Sequence, residues 1–379
     1  MPFFEPLIID VLIEYYPNQY VWTIIDYSFK IFELVIAGFV YLIWVQKALR
    51  QKKSVSKIGM LLILHLLLMI FSCILHMDFA ITFFGSTFCT IALIPLSEYM
   101  IRKSKMDFLL AGKLLFSFWL IYGIITTFLF PNGFNVSSSK YSAIFGLGAK
   151  NNAFPFYFAY LFFLFAYKTK KNVRLPFYTP FVIAGIIVAA LIYKSISTMF
   201  CIGLVLCIYL LDKNSNLLKK RKIAFFCFIV LTFVIVMIYI GLNTPALEIL
   251  LAKFGRNTTF SHRDVLWSQA ISHFKRSPFW GIGASLRYQT VWANNVTQHA
   301  HSQYLDKLAK FGIISFSFLA IALTKLFRKI CQCDNLRQVN ILAAMVLIYM
   351  LHMAFDTYNY NFFIIILITL NSFVVKTFQ

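Results

Sequence analysis

Charged side chains are scarce in this chain of 379 residues, and acidic ones are the scarcest. Asp, Glu, Lys and Arg make up 13% of the residues, whereas 60% are hydrophobic, and the mean hydropathy is +0.76. This composition excludes an ordinary soluble domain, in which about a quarter of the residues are charged. The 14 acids are outnumbered by 35 lysines and arginines, which gives a formal net charge of +21. We therefore expect a membrane protein whose basic excess needs its own explanation.

Several motifs of well-known enzyme chemistry are also missing. The sequence has no P-loop, no D-x-D pair of acids and no H-E-x-x-H motif. It therefore offers no support for nucleotide, nucleotide-sugar or zinc chemistry, and we expect no metal and no cofactor. The seven cysteines are scattered, and five of them lie within apolar runs, where they behave as small buried hydrophobic residues.

Long apolar runs dominate the chain, and several reach the 18 or so residues that a helix needs to cross a bilayer. They predict an all-α integral membrane protein, a polytopic bundle of about 11 transmembrane helices that forms a single membrane domain over residues 1–379. The predicted spans are 22–45, 58–76, 79–97, 108–130, 151–167, 177–193, 196–211, 223–242, 311–327, 339–355 and 360–375.

Basic residues cluster in five short segments between these runs, at 46–57, 98–107, 168–177, 212–222 and 325–338. All five segments fall on one side of the eleven-span bundle, and short basic loops mark the cytoplasmic side of a membrane protein. This pattern explains most of the positive charge, so we do not expect nucleic acid as a partner.

The long polar segment 243–310 falls on the opposite, extracytoplasmic side and breaks this pattern of charge. It holds four arginines and four of the seven histidines of the chain: Arg256, Arg263, Arg276, Arg287, His262, His273, His299 and His301. An outer loop with so many cationic and titratable groups indicates a function other than topology. We expect it to bind an anionic substrate at the membrane surface.

Within this loop, residues 261–276 have the pattern of an amphipathic helix. Trp267, Ala270, Ile271 and Phe274 recur at helical spacing and form one apolar face. Arg263 lies four residues before Trp267, so it projects from the same face and needs an anionic partner or ligand. A structural salt bridge and a substrate contact both remain open.

Histidines supply two candidates for a general base. His299 and His301 precede a predicted helix over 301–310, and His301 lies one turn before Leu305, on the buried side of that helix. A histidine there could accept a proton or simply pack, because its ordinary pKa is about 6.5. The rival is His352 with Asp356, an i, i+4 pair near the outer end of the tenth span.

A set of motif positions in this loop points to a known family. The positions are Arg263 and Trp267, then Pro278, Gly281 and Gly283, then Ala300-His301-Ser302 with Tyr304 and Leu305, then Phe311-Gly312. They resemble the shared signature of bacterial O-antigen ligases and O-antigen or capsular polysaccharide polymerases. Two earlier patches fit as well. Gly148-x-Lys150-Asn151-Asn152 resembles a glycine–asparagine segment of that family, and Ser195-Ile196-Ser197-Thr198 resembles a serine–arginine–serine segment in which Ile196 replaces the arginine.

The resemblance implies a glycosyltransferase with residues 243–310 as its extracytoplasmic catalytic loop. Its donor would be a saccharide on undecaprenyl diphosphate, used in metal-independent, inverting transfer on the outer face of the bacterial cytoplasmic membrane. Arg263 would bind the diphosphate, and His301 would be the base. The further substrate-binding candidates are Arg256, Arg276, Arg287, Lys194 and His299.

Within this family we favour a polymerase that joins lipid-linked repeat units for O-antigen, capsule or exopolysaccharide synthesis. The first alternative is an O-antigen ligase, which transfers the finished chain to a final acceptor. The alternative from another class is an exporter of lipid-linked saccharides, although the chain has no visible internal repeat. Membrane lipid and a chain-length regulator protein are the further partners that the resemblance implies.

Overall fold

The computed structural model describes residues 19–50, 55–133, 144–149, 151–173, 175–214, 222–240, 263–290, 296–333 and 336–374. Within these ranges the chain forms twelve α-helices and four two-residue strands. The helices are α1 (Gln19–Arg50), α2 (Lys57–Leu75), α3 (Ile81–Lys103), α4 (Lys105–Leu129), α5 (Phe154–Lys171), α6 (Thr179–Ile192), α7 (Ile196–Asn214), α8 (Ile223–Ile240), α9 (Arg263–Arg276), α10 (Gln303–Ile330), α11 (Leu336–Met353) and α12 (Tyr360–Val374). The strands form two antiparallel pairs, β1 (Ile144–Phe145) with β2 (Gly148–Ala149) and β3 (Tyr288–Gln289) with β4 (Val296–Thr297).

Each of the eleven predicted spans coincides with one described helix, and α9 is the amphipathic helix predicted in the outer loop. By length and composition, four of the described helices can cross a membrane: α2, α4, α10 and the Phe83–Lys103 part of α3. Five further helices are apolar but shorter. The all-α membrane architecture predicted from the apolar runs is therefore confirmed.

The faces of the peripheral helices explain why the chain needs a lipid environment. Phe39 and Leu42 on α1, Leu114 on α4, and Phe226 and Phe233 on α8 are more than half exposed. Contiguous apolar surface of this kind is rare on soluble proteins, whereas hydrocarbon solvates it without penalty. These helices therefore present their apolar faces to lipid.

The core of the bundle is formed by α5, α11 and α12. Every residue of α5 from Phe154 to Tyr167 is buried, and α12 is buried from Tyr360 to Asn371. A helix that is apolar on all sides belongs in the interior of a bundle. Tyr349 of α11 joins the two, because its ring lies 5.3 Å from Phe158 and 5.8 Å from Phe363 between centroids.

A few polar contacts fix the neighbours of this core. The buried His65 of α2 contacts α10 through its Nδ1, 2.8 Å from the carbonyl oxygen of Ser315, and α12 through its Nε2, 3.2 Å from the Tyr360 hydroxyl. Thr90 of α3 donates a hydrogen bond of 2.6 Å to Asn361 of α12. Buried polar groups need such partners, so these bonds restrict how the helices can slide past one another.

The long helix α10 is interrupted at Gly312, which has a φ of 72° and a ψ of 178°. The segment that follows α9 fills this break. Ile282 and Gly283 donate backbone bonds to the carbonyls of Ala309 and Lys310, and Ile313 donates one of 2.8 Å to Pro278. A Cβ on Gly312 would lie 2.1 Å from the carbonyl oxygen of Phe279, so the close approach of the two backbones requires glycine.

Candidate functional site

Three patches of the sequence that lie far apart along the chain meet around one carboxylate, Asp356. It lies in the loop between α11 and α12, at the end of the bundle where α5, α7 and α10 begin. Asn151 donates a short hydrogen bond from its Nδ2 to Oδ2 of Asp356. Arg263 Nη2 lies 3.5 Å from the same oxygen, and His301 Nδ1 lies 3.3 Å from Oδ1. We call Asn151, Arg263, His301 and Asp356 the carboxylate cluster.

The Asp356 side chain is only 7% exposed, and its surroundings hold it in the ionised form. Burial alone raises the pKa of this carboxyl, but the hydrogen bond from His301 and the positive charge of Arg263 outweigh that effect and lower the pKa to about 2. The backbone N–H of Thr357 adds another donor, 3.0 Å from Oδ1. An ionised carboxylate only accepts hydrogen bonds, and here four donor groups surround it.

Arg263 is the first residue of α9, and the helix is anchored by its apolar face. Trp267 is fully buried, with ring centroids 5.5 Å from Tyr239 and 6.2 Å from Phe355. Arg263 lies one turn earlier on that face, as predicted, and also donates through Nη1 to the carbonyl oxygen of Phe355. Its anionic protein partner is Asp356. The Arg263 side chain is 19% exposed.

The backbone at His301 differs from the prediction. The sequence suggested that His301 belongs to a helix over 301–310, but α10 begins at Gln303. Ser302 is the N-cap of this helix, and its hydroxyl accepts a hydrogen bond from the backbone N–H of Leu305. His301 precedes that cap with a left-handed φ of 50°. The predicted helix start was wrong because Ser302 caps the N-terminus of the helix one residue after His301, which leaves the His301 ring free to turn toward Asp356.

Ser302 also anchors this junction to the rest of the bundle. Its hydroxyl lies 2.6 Å from the Tyr239 hydroxyl of α8, which in turn donates a bond of 2.9 Å to the carbonyl oxygen of Ala354. The next residue, Gln303, donates its backbone N–H to the Asp356 carbonyl oxygen over 3.2 Å. The two loops that carry His301 and Asp356 are thus bonded to each other by the backbone as well as by their side chains.

A chain of polar contacts leads from Asp356 back to the serine–threonine patch. Ser195 donates to Oδ1 of Asn151 over 2.7 Å, which leaves the amide nitrogen of Asn151 pointing at Asp356. Ser195 is also 2.8 Å from Thr198, and Thr198 Oγ1 is 3.5 Å from Nε2 of His352. This arrangement assigns Asn151 the role of a donor whose orientation is set by Ser195.

The alternative base, His352 oriented by Asp356, is not what the structure contains. His352 is fully buried, and its ring stacks on Phe154 at a centroid distance of 3.6 Å. Its Nδ1 lies 2.7 Å from the Tyr358 hydroxyl, whereas the histidine that contacts Asp356 is His301. The i, i+4 spacing failed because α11 ends at Met353, so Asp356 does not continue the helix that carries His352.

The remaining candidates lie outside the carboxylate cluster. Arg276 and Arg287 are exposed, at the end of α9 and in the segment before β3. Lys194 is exposed with a φ of 56°, next to the buried Ser195. His299 is half exposed, and its Nδ1 lies 4.0 Å from Asp306 rather than near Asp356. Arg256 lies outside the described residues.

Sequence reasoning paired Asp356 with His352 and missed its contacts with Asn151, Arg263 and His301. The sequence offered one clue, because acids are scarce in this chain and Asp356 lies in a short loop between two apolar runs. Its contact with His301 spans 55 positions, and its contact with Asn151 spans 205. Spacing along a helix cannot reveal contacts of this range.

Comparison with known proteins relates part of this site to a family model. Residues 181–320 match the family model described as O-antigen ligase. This range is therefore similar to the O-antigen ligase family. The matched range contains Arg263 and His301, whereas Asn151 and Asp356 lie outside it. The resemblance of the motifs to the O-antigen ligase and polymerase family is confirmed.

A curated relative supports the same assignment. The exopolysaccharide production protein ExoQ of Rhizobium meliloti (strain 1021) is 26% identical to this chain over 109 residues. The match covers 24% of this chain and 23% of ExoQ, so the chain spans about a quarter of the length of this relative. No solved structure matches significantly.

Proposed function

We propose that this protein is a polysaccharide polymerase that joins saccharide repeat units carried on undecaprenyl diphosphate. The observation that carries the proposal is the carboxylate cluster, in which Asp356 holds a histidine and an arginine side by side. Glycosyl transfer from a lipid diphosphate needs a base for the attacking hydroxyl and a cation for the leaving group. The cluster offers both within one site.

His301 has the geometry of a general base. Because the Asp356 carboxylate can only accept, the proton between the two side chains resides on Nδ1 of His301, and in the neutral imidazole Nε2 then carries the lone pair. The His301 side chain is 41% exposed, so a substrate can approach it. In the proposed step, the acceptor hydroxyl oxygen attacks the anomeric carbon and its proton passes to Nε2. The bond from that carbon to the diphosphate breaks, and the diphosphate departs with the electron pair.

Arg263 has the chemistry of a diphosphate ligand. A guanidinium carries five N–H donors, and the contacts with Phe355 and Asp356 engage only its two terminal nitrogens. The remaining donors can form charge-assisted, bidentate hydrogen bonds to phosphate oxygens. Asp356 would thus fix both the arginine that stabilises the leaving group and the histidine that activates the acceptor.

Localisation belongs to the same proposal. The five basic segments support a cytoplasmic location for their side of the bundle, and the carboxylate cluster lies at the opposite end of the helices. We place the protein in the bacterial cytoplasmic membrane, with residues 243–310 as an extracytoplasmic catalytic loop. The transfer is proposed to be metal-independent and inverting.

A ligase is the second candidate, because the family model that matches residues 181–320 is described as O-antigen ligase. The two functions differ in the acceptor: a polymerase extends a chain on its lipid carrier, whereas a ligase moves the finished chain elsewhere. Both reported matches concern polysaccharide-producing proteins, which favours either enzyme over an exporter of lipid-linked saccharides.

Two measurements test the proposal. The purified protein in liposomes, given lipid-linked repeat units alone, should produce products longer than one unit. In a deletion strain, a polymerase defect should leave surface material capped with a single repeat unit. Products that stay at one unit, together with free long chains on the lipid carrier in the deletion strain, would favour the ligase.

A further inference from the structure

Two buried charges lie on α10 beside the carboxylate cluster. Asp306 and Lys310 are one helical turn apart, and the Lys310 Nζ lies 3.1 Å from Oδ2 of Asp306. Both side chains are 6% exposed. A buried ion pair adds little to stability, since the desolvation of both charges offsets their attraction. The contacts that this pair makes with other groups therefore indicate its role better than the pair itself.

Both members of the pair bind the backbone of the residues just before His301. Asp306 Oδ1 accepts the backbone N–H of Ala300 over 3.2 Å. The Lys310 Nζ donates to the carbonyl oxygen of Gln298 over 2.6 Å. The segment 298–300 is thus held by a donor at one end and an acceptor at the other, and Ala300 is fully buried against α9 and α10.

His301 needs such support because its own backbone is strained. Its φ of 50° lies in the left-handed region, which few residues other than glycine adopt. Such a conformation persists only where the surroundings hold it on both sides. Ser302 and Gln303 hold the following side, through their bonds to Tyr239 and to the Asp356 carbonyl.

We propose that Asp306 and Lys310 are positioning residues, which fix the backbone that enters His301 and so aim its ring at Asp356. A pair of apolar side chains could fill the same space but could not bind one N–H and one carbonyl of the segment. The kinetic consequence rests on the proposed function, whereas the effect on the His301 ring does not.

Variants of Lys310 test this role against a matched control. Lys310→Met removes the donor to the Gln298 carbonyl but leaves Asp306 as an unpaired buried charge. The double variant, which combines Asp306→Asn with Lys310→Met, removes the same donor without leaving that charge. Lys310→Arg keeps a charged donor. Lys275→Met, at an exposed position on α9, removes a cation from the same loop without touching segment 298–300.

Chain extension by these proteins is measured at equal amounts of protein in the membrane. Loose positioning of a catalytic group costs on the order of 10²-fold in rate, so Lys310→Met and the double variant should lose about that factor in kcat. Their KM for the lipid-linked donor should stay unchanged, because the interaction matters only in the transition state. Lys310→Arg and Lys275→Met should stay close to the wild type.

The ring itself is observed by NMR of protein with ¹⁵N-labelled histidine, in which His301→Gln assigns the signal. The wild type should contain one tautomer, protonated at Nδ1, whereas Lys310→Met and the double variant should show a mixture. A lower kcat with an unchanged tautomer, or wild-type kcat and tautomer in both variants, would overturn the positioning role. If the wild type makes no polymer, the proposed function fails, and the tautomer alone decides the positioning role.

Discussion

Replacing Asp356 by asparagine should abolish most activity while the protein still accumulates in the membrane. The carboxylate accepts hydrogen bonds from Asn151, His301 and the backbone of Thr357, and it forms an ion pair with Arg263. An amide of the same shape has one acceptor oxygen and one donor nitrogen. In Asp356→Asn, at least one donor of the site must therefore face another donor, and His301 and Arg263 cannot both keep their positions.

The size of the loss of activity follows from the chemistry of His301 and Arg263. Loss of a general base costs about 10²–10⁴-fold in rate, which corresponds to about 3–5 kcal/mol in the activation free energy. Stability should fall as well. The pKa of Asp356 is about 2 in the folded protein, against an ordinary value of 3.8. This difference is equivalent to about 2 kcal/mol of stabilisation by the ionised form.

The stabilisation has a defined pH dependence. Because the pKa is lowered by folding, the ionised carboxylate stabilises the protein fully above a pH of about 4 and loses this effect as the pH falls towards 2. The difference in Tm between the wild type and Asp356→Asn should be constant near neutral pH and shrink in acid. Asp107→Asn is the control, since Asp107 is exposed in the first turn of α4. Near-normal chain extension by Asp356→Asn would show that activity does not depend on the Asp356 carboxylate.

Three further predictions concern the ligand, the metal and the orientation. Arg263→Ala should abolish polymer formation. Arg263→Lys should also form little polymer, because the point charge of a lysine cannot make bidentate hydrogen bonds to a phosphate. Near-normal polymer in both variants would show that Arg263 has a purely structural role. Activity in detergent should survive EDTA, and its loss with rescue by magnesium or manganese would contradict a metal-independent transfer. A cysteine at Thr290 should be labelled from outside intact cells and one at Ser215 should not, whereas the reverse pattern would remove the loop from the donor.

The helices of this protein could be predicted because a bilayer imposes length and hydropathy on each span. The amphipathic helix α9 could be predicted as well, because the spacing of Trp267 and Ala270 defines its buried face and places Arg263 on that face. The signature glycines Gly281, Gly283 and Gly312 all have positive φ values, so these motif positions coincide with backbone that favours glycine. The sequence pattern was sufficient to predict those features that depend on residues close together along the chain.

The site itself depends on contacts that no local pattern encodes. His301 was placed in a helix because the cap at Ser302, one residue later, was not recognised. His352 was paired with Asp356 by helical spacing, yet the helix ends between them and the carboxylate turns to His301. Only the packing of α5, α9, α10 and α11 brings the four residues of the carboxylate cluster together.

The central claim is that His301 accepts the proton of the attacking hydroxyl, and a comparison of three histidines tests it most directly. The measurement is the length distribution of polymer made from purified lipid-linked repeat units by His301→Ala, His299→Ala and His352→Ala. We expect His301→Ala to lose chain extension by about 10²–10⁴-fold while donor binding survives, and we expect only a mild loss in His299→Ala. Normal extension by His301→Ala together with an inactive His352→Ala would contradict this claim.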